Sequence, residues 1–315
     1  MDMPRKSARG RPVAAPPDGR LTAAALLQME LFAPPEQVAP FVTTFFRMSC
    51  DEPVIRDVQP SSIGIIAVMA RGAGHMRFID GRTEPSHPLT LLSPAPAAAT
   101  FDVQGPWRVF GAMLSPLGWA GLTGLSAAEH GNRLFDGMEV LPQPLGEAGR
   151  ALIEDFESLS VPEMIDLLSG AILASLRPIP AKHVAFVRTV VDWLAQSLSP
   201  DIADLFERCG YGSRQVQRLA ERYFGLPPSA LARKYRALRA AVLLSRPSLS
   251  ADEIAAVQDH FYDQSHMIRE IRLFAGRTPA RIGDPDTPYL SAFMDLRDFR
   301  EAGPRMAPIP KDLRG

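Results

Sequence analysis

The sequence contains very few cysteines, and none of its apolar runs is long. The two cysteines, Cys50 and Cys209, are far apart in a chain of 315 residues, which excludes a disulfide framework and a cysteine zinc site. No apolar run approaches the roughly 18 residues of a membrane span, and the first residues lack the apolar core of a signal peptide. We therefore expect a protein of the reducing cytoplasm that has no membrane partner.

Catalytic and metal-binding motifs are also absent. His75 and His87 lie in a β-rich region, but no His-x-His pair or suitably spaced carboxylate accompanies them, so we interpret them as loop histidines. No Gly-x-Ser-x-Gly nucleophile elbow occurs. Gly72-Ala73-Gly74 lacks the length and the Lys-Ser/Thr ending of a phosphate-binding loop. The sequence thus predicts no catalytic residue, no metal ligand and no cofactor.

Charge is unevenly distributed along the chain. The formal net charge is -1, but residues 182–283 carry 15 Lys and Arg against 10 Asp and Glu. The remainder carries 19 basic and 25 acidic residues. A basic C-terminal part joined to an acidic remainder is typical of a polyanion-binding module attached to a domain that does not bind DNA.

The N-terminal part is predicted to be rich in β-structure. We interpret residues 1–36 as a disordered or variable arm, because its beginning is rich in Pro, Gly, Arg and Ala without periodicity. Short apolar runs then alternate with Pro and Gly, which predicts a sandwich or barrel with strands at 62–69, 75–81, 89–92, 99–103 and 107–114. A glycine-rich turn would separate the first two runs. Helical spacing follows in 116–125 and 145–177, and Pro178 and Pro180 mark a domain boundary.

The stretch 263–274 has the pattern of an amphipathic helix. Asp263 would cap it, and Met267, Ile271 and Phe274 recur at i, i+4 and i+7 on one face. The polar side chains of the opposite face are those of Gln264, Ser265, Arg269 and Arg272. A short helix at 252–257 precedes the Phe261-Tyr262 pair, so the segment is typical of a helix-turn-helix.

A similar unit lies upstream. One helix ends at Cys209, Gly210-Tyr211-Gly212 makes a turn, and a helix capped by Ser213 continues to Phe224. Its predicted inward residues are Val216, Leu219 and Tyr223, and its outward residues are Arg214, Gln217, Arg218 and Glu221. A helix over 228–245 would separate the two units. Its length of roughly 25 Å, with flanking turns, suits two reading helices about one DNA turn, or 34 Å, apart.

Both units resemble the AraC/XylS family of bacterial transcription regulators. The resemblance rests on the motifs at 210–219 and 261–270 and on Gly276-Arg277-Thr278-Pro279, and it covers residues 180–283. It implies a seven-helix DNA-binding domain with two helix-turn-helix units. More loosely, the β-rich region resembles the sensing domains that precede this module in some members and bind a small effector or mediate dimerisation.

The predicted fold class is therefore α+β. A β-rich, barrel- or cupin-like sensing or dimerisation domain (37–178) would precede an all-α double helix-turn-helix domain (180–283). Residues 284–315 would form an extension with one helix at 289–299 and a disordered, proline-rich end.

The residues expected to contact DNA lie on the polar faces of the two reading helices, 213–224 and 263–274. Arginine and glutamine pair with guanine and adenine edges. The predicted set is Ser213, Arg214, Gln215, Gln217, Arg218, Arg222, Gln264, Ser265, His266 and Arg269. His260 stands where the family usually has glycine, so either His260 adopts a left-handed conformation or the turn is reshaped. We therefore expect more sequence readout from the first unit.

The leading hypothesis is a sequence-specific transcription regulator of double-stranded DNA, with RNA polymerase, a small effector and a second copy of the chain as further partners. Two alternatives stay open. The first is an enzyme targeted to DNA, such as a repair methyltransferase, which would need an activated Cys50. The second is a regulator without an effector, whose N-terminal domain only dimerises or contacts polymerase.

Overall fold

The structure is a computed structural model that describes residues 27–245, 249–284 and 287–294. The strands are β1 (Leu27–Phe32), β2 (Val42–Cys50), β3 (Val54–Gln59), β4 (Ile65–Arg77), β5 (Thr83–Pro85), β6 (Leu89–Leu92), β7 (Ala99–Leu114) and β8 (Leu134–Asp136). The helices are α1 (Pro116–Thr123), α2 (Gly137–Val140), α3 (Gln143–Glu154), α4 (Val161–Ser175), α5 (Ala181–Gln196), α6 (Ile202–Cys209), α7 (Ser213–Phe224), α8 (Pro228–Leu244), α9 (Ala251–Gln258), α10 (Gln264–Ala275), α11 (Pro279–Ile282) and α12 (Pro288–Phe293). A β-rich half thus precedes a helical one, and the predicted α+β class is confirmed.

The strands form one antiparallel sheet organised by two long strands. The order is β1-β2-β7-β4-β6-β8, with β3 beside β7 and β5 beside β4. The second half of β7 pairs with β2 and its first half with β3. On its other side β7 pairs with β4 along most of its length. β4 and β7 therefore hold the shorter strands in one layer.

The two faces of the sheet bury different apolar clusters, because successive side chains of a strand point to opposite sides. Phe45, Val68 and Phe110 share a cluster with residues of α3 and α4. Phe46, Trp107 and Val109 belong to another cluster, which surrounds a cavity. The sheet therefore has a helix-covered face and a cavity face.

The N-terminal boundary predicted from the sequence is wrong. Leu27–Phe32 lies within the arm predicted to be disordered or variable, yet it forms β1 and pairs with β2 from Leu27 opposite Cys50 to Phe32 opposite Phe45. Leu27, Met29 and Leu31 alternate and pack on the cavity-face cluster. This period-2 pattern was obscured by the bias of the preceding residues, and residues 1–26 lie outside the described chain.

Two further strand predictions also need correction. The turn predicted at residues 72–74 is part of β4, where shifts in register between Met69 and Ala73 let Gly72 bulge at φ 89°. The runs 99–103 and 107–114 form the single strand β7 through a cis Gly105-Pro106 bond. The glycine and proline residues did not end these strands, because the neighbouring strands pair with β4 and β7 on both sides of each glycine.

The helical layer of the N-terminal domain is continuous with the core of the first helix-turn-helix unit. Phe156 and Leu168 of the predicted 145–177 helical region share one buried cluster with Val187, Leu205 and Leu219. Val184 and Val191 of α5 are partly exposed and pack against the same cluster. The residues of α5 that are buried are Phe186, Val187, Val190, Trp193 and Leu194.

Helix α8 is buried on more of its circumference than its apolar periodicity predicts. The apolar side chains of Leu231, Tyr235 and Val242 are buried, and so are the charged side chains of Lys234 and Arg239. The guanidinium of Arg239 donates to the backbone oxygens of Leu194 and Ser197 and so joins α8 to the end of α5. The ammonium of Lys234 donates to the Ser62 carbonyl oxygen at 3.3 Å and has no carboxylate partner among the described residues.

We expect replacement of Lys234 by methionine to stabilise the protein. Burial lowers the pKa of Lys234 from 10.5 to about 7. The unfolded chain therefore binds one more proton than the folded chain between these values, so the wild type gains stability as pH rises through that window. Lys234→Met should raise the free energy of unfolding by about 1–4 kcal/mol at pH 7.

Denaturant unfolding at pH 7, 8 and 9 measures this effect, with Lys182→Met as a control at an exposed lysine. The advantage of Lys234→Met should shrink as pH rises. An advantage that is absent at pH 7, or equal at all three pH values, would contradict the assignment of a buried charge.

Candidate DNA-binding surface and apolar cavity

The first helix-turn-helix consists of α6, a tight turn and α7. Asp201 caps α6 through its side chain, which accepts from the backbone N–H of Ala203, and Gly210 ends it at φ 62°. Gly212, rather than the predicted Ser213, is the N-cap of α7, and Ser213 is the first helical residue. The positive φ is the conformation that glycine adopts without steric strain.

Helix α7 divides into buried and exposed faces as predicted. Val216, Leu219 and Tyr223 are buried. Of the predicted contact residues of this helix, Gln215 is half-buried. The others are exposed, and they are Ser213, Arg214, Gln217, Arg218 and Arg222. These side chains form a polar, mainly basic surface.

The basic surface extends from α7 to the beginning of α5. The ring of His183 lies within hydrogen-bonding distance (2.9 Å) of the Tyr223 hydroxyl. Burial lowers the pKa of His183, and the positive charges of Lys182, Arg222 and Arg218 lower it further. The contact between His183 and Tyr223 brings the exposed Lys182, the chain neighbour of His183, to the side of α7, which the sequence pattern did not reveal.

The second unit consists of α9, a turn and α10. Asp263 caps α10 by accepting from the backbone N–H of His266 at 2.6 Å, as predicted. His260, in place of glycine, is not among the residues with positive φ, so this turn is reshaped rather than strained. The Phe261-Tyr262 pair is split: Phe261 is buried, whereas Tyr262 is 93% exposed. Sequence reasoning missed Tyr262, which adds an aromatic ring to the surface next to Gln264.

Glu270 organises the buried side of α10. Its carboxylate is almost fully buried and lies 2.6 Å from Arg233 and 2.7 Å from Arg236, both on α8. The Nε2 atom of His266 lies 3.3 Å from the same carboxylate. His266 therefore faces partly inward, whereas the other predicted contacts of α10 are exposed: Gln264, Ser265 and Arg269.

The predicted reading helices, α7 and α10, are attached to the N-terminal domain by their C-terminal ends. At α7, the carbonyl of Arg222 accepts from the N–H of Ala127 at 2.8 Å. At α10, the carbonyls of Leu273 and Phe274 accept from the N–H groups of Ala98 and Ser61 at 2.9 and 2.8 Å. These contacts satisfy carbonyls that a helix end leaves unpaired. The N-terminal halves, which read base edges in helix-turn-helix proteins, stay exposed.

Close packing reinforces the attachment of α10. Gly276 ends this helix at φ 85°, and a Cβ atom at this position would lie 2.2 Å from Val58 of β3. Val58 belongs to the apolar cluster of the second helix-turn-helix unit. The end of β3 is thus part of the core beneath α10.

The cavity face of the sheet encloses an apolar space of about 90 Å³. Its lining includes Phe46, Met69, Phe101 and Trp107 and contains no lysine or arginine. The indole N–H of Trp107 is buried and has no hydrogen-bond partner among the described residues. The cavity can therefore hold an uncharged, mainly apolar molecule.

No metal site is formed by the residues that the structure describes, and Cys50 lacks the features of an activated nucleophile. They contain no group of three or more His, Cys, Asp or Glu side chains close enough to hold a metal. His75 is exposed beside the cavity, and His87 lies 3.5 Å from Asp136. Burial raises the pKa of the Cys50 thiol, which is the opposite of what an activated nucleophile requires.

Comparison with known proteins identifies the C-terminal domain. Residues 205–283 match the family described as a helix-turn-helix domain. No curated protein matches the chain. The structure of ToxT from Vibrio cholerae aligns with 86% of this chain and 99% of its own at 10% identity and a TM-score of 0.44. The AraC-like transcriptional activator CuxR aligns with 69% of this chain and 87% of its own at 14% identity and a TM-score of 0.29.

The C-terminal part of the chain thus contains a helix-turn-helix domain, the type of domain through which many proteins bind DNA. More particularly, residues 205–283 form a helix-turn-helix domain of the AraC type, so the resemblance seen in the sequence is confirmed. No helix in the described part of the chain is long and apolar enough to span a membrane.

Proposed function

We propose that this protein reads a specific DNA sequence with α7 and α10 and that a small, uncharged effector in the sheet cavity controls this reading. The proposal rests on the hydrogen bonds that attach α7 and α10 to the N-terminal domain. Their exposed N-terminal halves are free for the major groove, while their C-terminal ends are hydrogen-bonded to the domain that contains the cavity.

The cavity and α10 are separated by only a few residues of chain. Gln59 at the end of β3 lines the cavity, and Ser61, two residues later, donates to Phe274. Phe101 of β7 also lines it, and Ala98, three residues earlier, donates to Leu273. A ligand that shifts either strand end therefore changes the position of α10. The ligand then makes different contacts with the cavity in the two positions of α10, which is what allosteric control requires.

Base contacts and phosphate contacts have separate roles in this proposal. Arg214, Gln217 and Arg218 supply groove-edge hydrogen bonds, and phosphate neutralisation by the basic surface supplies much of the affinity. The half-buried Gln215 and the inward-facing His266 contribute less to the contact surface. Tyr262 and Lys182 add contacts at its margins.

Replacing Arg214 or Arg218 by alanine should weaken specific binding by about 1–3 kcal/mol without changing the melting temperature. Both side chains are exposed, so their removal leaves the core intact. Binding to a selected DNA fragment, measured as a function of salt, tests this prediction. Arg150→Ala, at an exposed arginine of α3, is the matched control. Unchanged binding in both α7 variants would rule out this helix as a reading helix.

The target is found by selecting genomic fragments with the purified protein at near-physiological salt and sequencing them. Two short half-sites about 10 bp apart would support reading by both helices. A single half-site would assign readout to α7 alone and contradict the role of α10. No enrichment, with or without cell extract, would contradict DNA reading by this chain.

Further partners belong to the same proposal. We place the protein in the cytoplasm, with RNA polymerase and a second copy of the chain as macromolecular partners. The alternative is a regulator whose N-terminal domain only dimerises. The apolar cavity favours the hypothesis that this domain binds an effector. The DNA-targeted methyltransferase is disfavoured because burial makes Cys50 a poor nucleophile.

A further inference from the structure

Helix α12 follows the helix-turn-helix domain in sequence but is anchored on the N-terminal sheet. The carboxylate of Asp57 in β3 accepts from the backbone N–H groups of Tyr289 and Leu290 at 2.8 and 3.3 Å. Asp57 is itself buried. These bonds satisfy donors at the start of a helix, so Asp57 acts as a cap supplied by a distant part of the chain.

Beyond this anchor, the Tyr289 side chain forms part of the cavity wall. Its ring meets the Phe101 ring edge-on at 5.1 Å and lies 6.3 Å from the Trp107 ring. Its hydroxyl donates to Oε1 of Gln59, whose amide nitrogen is engaged by the Pro60 carbonyl. The phenol is therefore held as a ligand would be, with its ring among aromatic residues and its hydroxyl on a buried acceptor.

The opposite side of α12 belongs to the second helix-turn-helix unit. Leu290 and Met294 share an apolar cluster with Ile271 and Phe274 of α10. The Ser291 hydroxyl also donates to the Ile282 carbonyl at 2.7 Å. α12 thus joins the cavity to the core of the unit that carries α10.

We propose that Tyr289 is a built-in occupant of the effector cavity and that the effector is an uncharged phenol or aromatic alcohol that displaces it. This inference rests on the function proposed above. A competitor must donate to Gln59, because a buried acceptor without a partner is unfavourable. Displacement of Tyr289 detaches α12 from the sheet and loosens the second unit.

Calorimetric titration of the full chain with 4-methylphenol, the side chain of tyrosine without its backbone, tests the competition. Tyr289→Ala should bind it at least about tenfold more tightly than the wild type, because the internal competitor is gone. Tyr262→Ala, the same change at an exposed tyrosine, should bind it like the wild type. In Tyr289→Ala, 4-methylphenol should bind about tenfold more tightly than toluene, and the additional change Gln59→Leu should abolish that preference.

Tyr289→Phe provides a second variant in case Tyr289→Ala does not fold. It retains the ring but not the hydroxyl, so it should bind 4-methylphenol about threefold more tightly than the wild type. Equal affinities in the wild type and in the folded Tyr289 variants would overturn the proposal.

Footprinting on a selected DNA fragment tests the coupling. Protection of the half-site read by α10 should weaken at least about threefold in Tyr289→Ala and in the wild type saturated with 4-methylphenol. The reason is that a loosened helix-turn-helix unit loses more conformational entropy when it binds DNA. Protection of the α7 half-site should remain. An unchanged footprint would overturn the coupling. If the wild type protects no DNA at all, the proposed function fails, whereas the calorimetric result still decides the role of Tyr289.

Discussion

Replacing Glu270 by alanine is expected to lower the free energy of unfolding by about 3 kcal/mol. The carboxylate is almost fully buried and pairs with Arg233 and Arg236, so its removal leaves two neighbouring cations without their common partner. Arg233 is half exposed and regains water, which keeps the loss at the lower end of the range for a broken buried pair. His266 also loses the carboxylate that orients its ring.

Denaturant unfolding measures this loss, and Glu36→Ala, at an exposed glutamate, is the matched control. Glu270→Gln should fall between the wild type and Glu270→Ala, since the amide retains acceptors but no charge. We also expect weaker protection of the α10 half-site in Glu270→Ala. A Glu270→Ala protein as stable as Glu36→Ala would show that the cluster adds nothing to the stability of this unit.

Replacing Leu219 by alanine should destabilise the protein by about 2–5 kcal/mol. Leu219 lies in the cluster that joins the first helix-turn-helix unit to the helical layer of the N-terminal domain, so the change removes apolar contacts and leaves a cavity. Leu167→Ala removes the same atoms from an exposed position of α4 and should change stability little.

Thermal and denaturant unfolding of both leucine variants, together with their DNA affinity, checks this prediction. Loss of DNA binding should follow loss of folded protein, in contrast to Arg218→Ala, which should bind poorly while folded. A Leu219→Ala protein that melts with the wild type would mean that α7 is rotated relative to the orientation described above.

Local rules predicted the elements of the DNA-binding half well. Asp263 caps α10, and Met267, Ile271 and Phe274 are buried, because capping and a 3.6-residue period are properties of the helix itself. The same rules failed at β1, at residues 72–74 and at Gly105-Pro106. There, pairing with distant strands outweighed composition and breaker residues.

The candidate site was predictable only in part. The exposed residues of α7 followed from periodicity. The inward turn of His266 depends instead on Glu270, which is drawn into a buried cluster by Arg233 and Arg236, more than thirty residues before it in the chain. The separation of Phe261 from Tyr262 and the role of Lys182 also depend on packing. The predicted DNA contacts themselves await the variants described above.

By itself, the sequence determined the type of the C-terminal domain, because a helix-turn-helix is encoded by caps, turn glycines and apolar spacing within a few tens of residues. Only the tertiary structure decided how the two halves are connected. The bonds from Ser61, Ala98 and Ala127 to the reading helices use backbone groups, which carry no residue-type signal. The contact between Asp57 and Tyr289 joins residues separated by most of the chain, and no local pattern encodes such a distance.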